Sequence, residues 1–456
     1  MKRLETDLLH GVIWQQILLF FFPVLFGSVI QQLYNTADAM IVGNYIGKEA
    51  LAAVGGSTGT MIHLMIGFIT GIASGATVII AQYYGSHDDD GVRRGVCSGM
   101  ALASALGAVM MSIGIIFAPG LLRLMNVPAD ILTPAVIYLR IFLCGLIPSL
   151  IYNTGAAILR AAGDSRRPLL FLIFSCFSNI ILDILFVAFW KLGVAGAALA
   201  TVLSQCLSCV MTLAVLYRTE ESCRLDPKNF TVDLTLLKRI AAIGLPVGIQ
   251  AVFYGAANLV IQASINSWGT DTVAAYTAFG KIDALFWNVS AAMGTSLLTF
   301  CGQNFGAGDI KRVRQGIREG VILYLIMTGL VTAVCMGWCE FICGLFTSDA
   351  DVIRIGMGLI RYMAPYWACF VFTEVFSSSI RACGDSFMPM VMTFFGIGVF
   401  RILWILFVPA QDLFVTVRCY PISWILTSLL FLAYYLQGGW LKRSLKKREM
   451  LIGVQA

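Results

Sequence analysis

Apolar runs of about 20 residues, separated by short polar breaks, constrain the fold of this chain more than any other feature. A run of that length, wound into an α-helix, crosses the ~30 Å hydrocarbon core of a bilayer. We count twelve such runs, and 59% of the 456 residues are hydrophobic while only 12% are charged. Soluble proteins have roughly 45–50% and about 25%, respectively. We therefore predict an all-α polytopic membrane protein with twelve transmembrane helices, because a β-barrel would alternate over shorter segments.

The placement of basic residues predicts the orientation of the chain. Of the 31 Lys and Arg residues, about 22 lie in alternate loops or at the two ends of the chain. The positive-inside rule then puts both termini in the cytoplasm. The first apolar run follows the amino end directly, without the pattern of a cleaved signal peptide. The net charge of +6 therefore indicates attraction to anionic lipid, and we expect a lipid bilayer but no nucleic acid as partner.

The sequence does not carry the motifs of an enzyme. Its 13 cysteines are scattered without paired CxxC motifs, so neither a metal site nor a disulfide framework is indicated. No GxxxxGK[ST] motif for ATP is present. The GAGD string that begins at Gly306 has the form of an intramembrane protease motif, but the chain has no Tyr-Asp pair to supply a second acid. We expect no enzymatic activity, no cofactor and no bound structural metal.

The chain repeats itself. RAAGDS, beginning at Arg160, returns as RACGDS at Arg381, and the same separation of 221 residues matches Gln82 with Gln303. Six helices in each half would relate the halves by a pseudo-twofold axis along the membrane normal. The longest polar interruption falls between the copies. We predict an amino-terminal six-helix lobe at 1–218, a cytoplasmic linker at 219–238, a carboxy-terminal six-helix lobe at 239–441 and a basic cytoplasmic tail at 442–456.

Polar residues follow one face of the first apolar helix. Gln31, Tyr34, Asn35 and Asp38 are spaced 0, 3, 4 and 7, which places them on a single helical face. Two later segments carry similar stripes, so three such faces predict a hydrated cavity. The segment that matches 31–38 in the second half is largely apolar, which favours a first helix that continues past Asp38 inside the membrane.

Two aspartates in these stripes are suited to binding a small cation. A carboxylate removed from water resists ionisation, and a second carboxylate nearby adds to that resistance, so Asp38 and Asp183 together are expected to hold a proton. Asn179, one turn before Asp183, and Thr201 would donate hydrogen bonds to the charged form. A hydrogen-bond network that only locks the helices together is the structural alternative. Charged residues inside a membrane favour the functional interpretation.

These segments together resemble the multidrug and toxic compound extrusion (MATE) family. The likeness rests on Pro23 through Asp38, GNYIGKEALAAVG, AQYYGS with its echo GQNFGAG, and the RAAGDS and RACGDS pair, and it covers nearly the whole chain. Among the branches of that family, the chain looks most like the bacterial DinF-like one. Its helix 1 aspartate, its helix 5 asparagine and aspartate, and its helix 6 threonine correspond to Asp38, Asn179, Asp183 and Thr201.

The resemblance implies a secondary active antiporter that exports cationic or amphiphilic drugs in exchange for H⁺ or Na⁺, by alternating access of two lobes. It implies a multi-pass protein of the bacterial plasma membrane, and we expect a monomer. Either ion suits the four oxygen-bearing groups of the proposed ion-coupling site. NorM-like relatives carry an acid in helix 7 where this chain has Tyr254. Candidate substrate-binding residues are Gln31, Tyr34, Asn35, Asn153 and Glu374.

Two other functions remain open. Distant relatives of this fold flip lipid-linked oligosaccharides, and such proteins would carry several arginines that face a central cavity. In this chain only Arg401, with Arg140 and Arg361 nearer the helix ends, is available for that role. A passive channel would conduct without competition between drug and ion. Glu374, a lone acid in an apolar run, is assigned either to substrate or coupling chemistry or to solvation of a cavity.

Overall fold

The computed structural model describes residues 6–125, 127–347, 349–409 and 412–452, so residues 1–5 and the last four residues of the predicted tail lie outside the described residues. The described chain is organised as a series of helices. In order they are α1 (Ile13–Tyr45), α2 (Lys48–Gly55), α3 (Ser57–Gly85), α4 (Asp89–Leu124), α5 (Ala129–Cys144), α6 (Leu146–Ala161), α7 (Arg166–Asp183), α8 (Gly193–Arg218), α9 (Leu234–Ile265), α10 (Thr270–Ala307), α11 (Ile310–Gly337), α12 (Cys339–Gly344), α13 (Ala350–Met363), α14 (Trp367–Ala382), α15 (Phe387–Thr393), α16 (Phe400–Phe407), α17 (Leu413–Val417), α18 (Cys419–Gln437) and α19 (Gly439–Ile452).

Eleven helical segments of the described chain are long and apolar enough to cross a bilayer, and the count reaches twelve if α5 and α6 form one span bent by 46°. This range includes the predicted number of twelve. Two spans contain a wide π-helical turn, at Ile184–Phe189 directly after α7 and at Phe394–Val399 directly before α16. The prediction of an all-α polytopic membrane protein is confirmed.

The repeated RAAGDS and RACGDS motifs form the same helix-ending turn in both halves. Gly163 and Gly384 have φ values of 94° and 90°, a left-handed conformation that residues with a Cβ rarely adopt. The aspartate that follows each glycine accepts hydrogen bonds from backbone N–H groups at the start of the next helix. Asp164 receives them from Arg166 and Arg167, both at 3.0 Å. The motif therefore ends one helix and caps the next.

The chain divides into two compact units. The first contains Phe22–Gly248 together with the described residues up to Asp7, and the second contains Leu8–Phe21 and the described residues from Ile249 onward. Each boundary inside a helix lies within three residues of a proline, Pro23 in α1 and Pro246 in α9. Proline removes one backbone hydrogen bond from a helix and weakens it locally, which fits a change of unit at these points.

Within the first unit, glycines bring α3 against the first part of α9. A Cβ on Gly71 would overlap the backbone of Gly248, and a Cβ on Gly75 would overlap the Ile240 carbonyl and Gly244. Small residues let membrane helices approach until their backbones touch, where van der Waals contact replaces the weak hydrophobic drive between helices in lipid. This close contact fixes α3 and α9 in the first unit.

Aromatic rings form the core of the second unit. The Phe286 ring of α10 stacks on Trp367 of α14 with ring centres 5.2 Å apart and planes 2° from parallel. Trp424 of α18 joins the cluster and is 1% exposed. Such large rigid surfaces hold the helices through dispersion and edge-to-face contacts.

Candidate functional site

Helix α1 carries Asp38 well inside an apolar span. The helix continues from Asp38 to Tyr45, so the aspartate does not end it, as the sequence comparison of the two halves predicts. Asp38 itself is partly buried. Its helical neighbours on the same side include Tyr34, one turn earlier. The stripe of polar residues is thus a continuous feature of one membrane helix.

Helices α7 and α8 bring three more of the predicted site residues together. Asn179 and Asp183 are fully buried and Thr201 is 3% exposed. With its amide oriented by its neighbours, Asn179 donates to an Asp183 carboxyl oxygen at 2.9 Å and accepts from the Thr201 backbone N–H at 3.3 Å. Asp183 is the last residue of α7 before the π-helical turn, an irregularity that often occurs at functional sites. Asn179 thus contacts Asp183, one turn later on α7 as predicted, and also joins α7 to α8 through Thr201.

The carboxyl groups of Asp38 and Asp183 lie in hydrogen-bonding contact with each other. The Oδ1 atom of each is buried and receives no hydrogen bond from any described donor. Two ionised carboxylates offer only acceptors, so such a contact requires a shared proton or a cation between them. The structure therefore brings together the two aspartates that the sequence places in separate helices, in an arrangement that requires positive charge.

Two tyrosines lie near the carboxyl pair. The Tyr34 hydroxyl hydrogen-bonds to the Thr201 side chain, and Thr201 Oγ1 donates to the Ala197 carbonyl at 3.1 Å. Tyr138 of α5, only 4% exposed, lies within electrostatic range of both aspartates and Tyr34. Sequence reasoning missed Tyr138. The only available signal is a polar group within an otherwise apolar face of α5.

An apolar cluster next to the site limits its access to water. It combines residues from α1, α2, α5, α8 and the π-helical turn, and Tyr138 is one of its members. Because an environment with few mobile dipoles strengthens charge interactions, this cluster makes the occupancy of the carboxyl pair energetically important. Its buried members are Val42, Ala50, Val54, Tyr138, Val187, Val194, Ala197 and Ala198.

The remaining candidates of the first unit lie outside this buried network. Gln31 and Asn35 are exposed on α1. Asn153 is half-buried on α6, and its amide donates to the Ser149 carbonyl of the same helix at 2.8 Å. These side chains keep free polar atoms, which is compatible with substrate contact, and their assignment as substrate-binding residues stays a prediction.

Glu374 belongs to the second unit, in α14, and has its own partners. It accepts a hydrogen bond from Ser378 at 2.8 Å and lies 3.7 Å from the Arg381 guanidinium. A Cβ on Gly294 of α10 would overlap the Glu374 carboxylate, so this glycine provides the space for it. Glu374 therefore neutralises the arginine that begins the RACGDS motif. Its role in substrate binding stays a prediction.

The chemistry of the carboxyl pair suits a proton or a hard cation. Oxygen donors from two carboxyls, an amide and a hydroxyl are the ligand types that H⁺ and Na⁺ share. Among the described residues there is no group of three or more His, Cys, Asp or Glu side chains that would hold a metal ion. The pair therefore has the oxygen donors that a proton or a hard cation requires.

The sequence matches a known family along both halves. The MatE family model matches residues 23–185 and 246–406. A relative named probable multidrug resistance protein YoeA, from Bacillus subtilis (strain 168), is 28% identical over 95% of this chain and 96% of its own length. The probable multidrug resistance protein NorM from Thermotoga maritima is 26% identical over 94% of this chain and 93% of its own length.

Solved structures share the fold. A multidrug resistance MATE family transporter of the MOP superfamily, solved in an outward-facing conformation, superposes with a TM-score of 0.88. Its sequence is 22% identical, and the match covers 96% of this chain and 99% of that one. The likeness confirms the two-lobe, all-helical fold that the internal repeat predicts.

Proposed function

Since this chain belongs to the MatE family of multidrug and toxic compound extrusion transporters, we propose that it exports cationic or amphiphilic drugs in exchange for H⁺ or Na⁺. The family membership makes the protein a multi-pass membrane transporter and not an enzyme. The exchange ion, the bacterial plasma membrane as location and alternating access of two lobes are parts of the proposal.

The buried contact between Asp38 and Asp183 carries the proposal. Positive charge must balance this pair, and the amount of charge depends on whether a proton or cation is bound. Binding an ion on the outer side and releasing it to the cytoplasm would change the charge of the first unit once per cycle. A cationic drug that is attracted to the ionised pair is displaced when the ion binds, and this competition links the two flows.

Asn179 and Thr201 position the pair in this mechanism. The Asn179 amide holds Asp183 through its N–H donor and at the same time fastens α7 to the backbone of α8. Tyr34 connects Thr201 to α1. A change in the charge of the carboxyls therefore alters hydrogen bonds that join three helices, which gives the ion a path to bias the conformation of the unit.

Lipid-linked oligosaccharide flipping is less well supported. That function predicts several buried arginines, whereas Arg140 and Arg361 are exposed and only Arg401 of these three is buried. A channel would not need the shared positive charge between two acids. Both alternatives predict transport that does not respond to Asp38 or Asp183 substitutions.

The test is uptake of a fluorescent monovalent cation into inside-out vesicles, in which export appears as uptake. Proton and sodium gradients are imposed separately on wild type, Asp38→Asn and Asp183→Asn, with the exposed Asp130→Asn as matched control. We expect gradient-driven uptake for wild type and the control, and at least tenfold slower uptake for the two site variants. Gradient-driven uptake by both variants at the wild-type rate would falsify the proposed site.

The energetics give this test a second readout. One pH unit supplies about 1.4 kcal/mol per proton, and 100 mV supplies about 2.3 kcal/mol per charge. If one proton exchanges for one monovalent cation, no net charge moves, and accumulation is limited to about tenfold per pH unit. A neutral substrate uses both terms and reaches about 400-fold at one pH unit and 100 mV. Accumulation of the monovalent cation that follows voltage would contradict this stoichiometry.

A further inference from the structure

The second unit contains a buried arginine that has no acidic partner. Arg401 of α16 is 0% exposed. None of the ion pairs among the described residues involves it, and the nearby Asp283 has both carboxyl oxygens engaged by indole N–H groups, from Trp287 at 2.6 Å and Trp367 at 3.0 Å. A charge inside a membrane protein without a direct counter-ion is costly, which makes Arg401 a candidate for binding a ligand.

The surroundings of Arg401 fix its position but leave part of it free. Its Nε donates to Ser423 Oγ at 3.0 Å, and its Nη1 donates to Asn258 Oδ1 at 3.0 Å. The guanidinium also lies over the rings of Tyr420 and Tyr254, at 4.3 and 5.1 Å from their centres. These contacts hold the planar group firmly, as a preorganised binding group requires.

Three incompletely satisfied polar groups meet at this end of the guanidinium. Arg401 Nη2, Trp424 Nε1 and the Tyr254 hydroxyl are each buried, and none of them makes a hydrogen bond of good geometry within the described structure. The Tyr254 hydroxyl lies within looser hydrogen-bonding range of both other groups, so the three form one cluster that contains no strong acceptor. Two of the three are obligate donors, and the third is able to donate. Converging donors around a positive charge form a site for an oxyanion, because they complement lone pairs and negative charge together.

The internal repeat indicates that Arg401 is not part of the shared scaffold. The residue 221 positions earlier is Ile180, whereas the arginines that begin the RAAGDS and RACGDS motifs occur in both halves. Packing that the two halves have in common therefore does not require Arg401. The aromatic rings beside the site, including Trp287 with its centre 5.7 Å from that of Tyr254, provide an apolar wall for the body of a ligand.

We propose that Arg401, Tyr254 and Trp424 bind the oxyanion group, a carboxylate or a phosphate, of an aromatic or lipid-like amphiphile. The half-exposed Tyr254 and Asn258 border the site, and Asn258 orients Arg401 without itself meeting the anion. The site lies within the second unit and is independent of the aspartate pair of the first unit. The function of the aspartate pair and this binding site can therefore fail separately.

Calorimetric titration of the purified protein in a neutral detergent tests the proposal without any ion gradient. The probes are 2-naphthoate, 2-naphthylmethylammonium and 2-naphthalenemethanol, which share a ring system and differ in charge. We expect the binding of the carboxylate to depend on Arg401 and the binding of the ammonium and alcohol probes to be independent of it. Arg401→Gln is expected to weaken naphthoate binding about 10- to 100-fold, the range for a lost charged hydrogen bond, and Arg401→Lys to weaken it less. The exposed Arg361→Gln is the matched control and should leave binding unchanged.

Two milder variants protect the test against misfolding. Tyr254→Phe and Trp424→Phe keep a ring while removing one polar group, and each is expected to weaken naphthoate binding severalfold without altering the binding of the neutral alcohol. Melting temperatures of all variants check that they are folded. Naphthoate binding that does not depend on Arg401, or ammonium binding that Arg401→Gln weakens as much as naphthoate binding, would overturn the proposal.

Repeating the titration in lipid nanodiscs distinguishes a lipid headgroup from a soluble amphiphile as the source of the oxyanion. If a lipid headgroup occupies the site, added phosphatidylglycerol weakens naphthoate binding to wild type but not to Arg401→Gln. If a soluble amphiphile is the ligand, phosphatidylglycerol has no such effect. If neither naphthoate nor phosphatidylglycerol distinguishes wild type from Arg401→Gln, the site does not bind an oxyanion.

Discussion

The two units share a scaffold but carry opposite charges at their centres. In the first unit α7 presents Asn179 and Asp183, whereas the matching positions of the second unit hold Phe400 and Trp404. The buried charge of the second unit is Arg401, opposite in sign. The turns of the RAAGDS and RACGDS motifs, by contrast, agree in conformation. Residues that both halves keep build the scaffold, and residues that only one half carries are the candidates for function.

The π-helical turns extend this comparison. In the first unit the turn begins at the residue after Asp183, and in the second unit it ends two residues before Arg401. A π-helical turn adds a residue to one helical turn and rotates everything that follows it relative to a regular helix. The π-helical turn therefore follows the buried Asp183 in the first unit and precedes the buried Arg401 in the second.

The largest expected effect is a difference in transport rate between a variant of the aspartate pair and a variant of Arg401. Asp183→Asn should slow proton- or sodium-driven export of a monovalent cationic drug at least tenfold, because the pair with Asp38 then has only one titratable carboxyl. Arg401→Gln should change the same rate by less than twofold. Initial rates in inside-out vesicles at equal expression measure both. Equal losses in the two variants would mean that the units are not functionally distinct.

A second prediction compares the aspartates of the repeated turns. Asp164 is 1% exposed and lies 3.1 Å from buried Arg167, so Asp164→Ala should cost about 2–3 kcal/mol by leaving that guanidinium with only the more distant Glu221 carboxylate at 3.7 Å. Asp385 accepts a hydrogen bond from the Tyr434 hydroxyl at 2.7 Å, and Asp385→Ala should lower the free energy of unfolding by about 1 kcal/mol. Thermal unfolding of the purified variants in detergent measures the difference.

The control for this pair is Asp164→Asn, which keeps the acceptor for the Arg166 and Arg167 backbone N–H groups and loses only the charge. Burial raises the pKa of Asp164 in spite of these donors and the Arg167 guanidinium, so the ion pair does not fully offset its desolvation. Asp164→Asn is therefore expected to cost less than Asp164→Ala. If Asp164→Ala proves no more harmful than Asp385→Ala, burial of the pair does not govern stability at this turn.

A third prediction exchanges residues at the helix contacts of the two units. Gly75 of α3 corresponds to Ser296 of α10 across the repeat. Gly75→Ser should lower stability by about 1–3 kcal/mol, because its Cβ would overlap the α9 backbone. Ser296→Gly should cost less than about 1 kcal/mol, mainly through helix propensity. Gly120→Ser, at a position with open space around it, is the control for the first substitution. Melting temperatures that fall equally in all three variants would contradict a specific close contact.

The smallest expected effect concerns the polar segment between the halves. Hydrogen bonds to Asp226 from the Lys228 backbone N–H and the Asn229 amide lower the pKa of this exposed carboxyl. A lowered folded-state pKa stabilises the fold above the unfolded-state value near 4, and this contribution disappears as pH falls through the folded-state value. Asp226→Ala should therefore reduce the melting temperature slightly at pH 7, and by less at pH 3. A larger loss at pH 3 than at pH 7 would have the wrong sign.

Much of the candidate site was predictable from periodicity. The spacing of Tyr34 and Asp38 on one helix, and of Asn179 and Asp183 on another, follows from 3.6 residues per turn. The meeting of α1 with α7 was an expectation that rested on the high cost of isolated charges in a membrane. Tyr138 could not be anticipated, because a single tyrosine in an apolar helix has the same pattern whether it faces lipid or a carboxyl pair.

Sequence alone determined that this chain spans a bilayer as a duplicated set of helices, because apolar length and an internal repeat are local properties that no neighbour can reverse. Only the tertiary structure decided which polar atoms have partners. Glu374 and Arg401 are each a single charged residue within an apolar run. Glu374 pairs with Arg381, whereas Arg401 pairs with no acid among the described residues. Partnership depends on distances between helices, and these arise from side-chain packing across the whole unit and not from the order of residues within one helix.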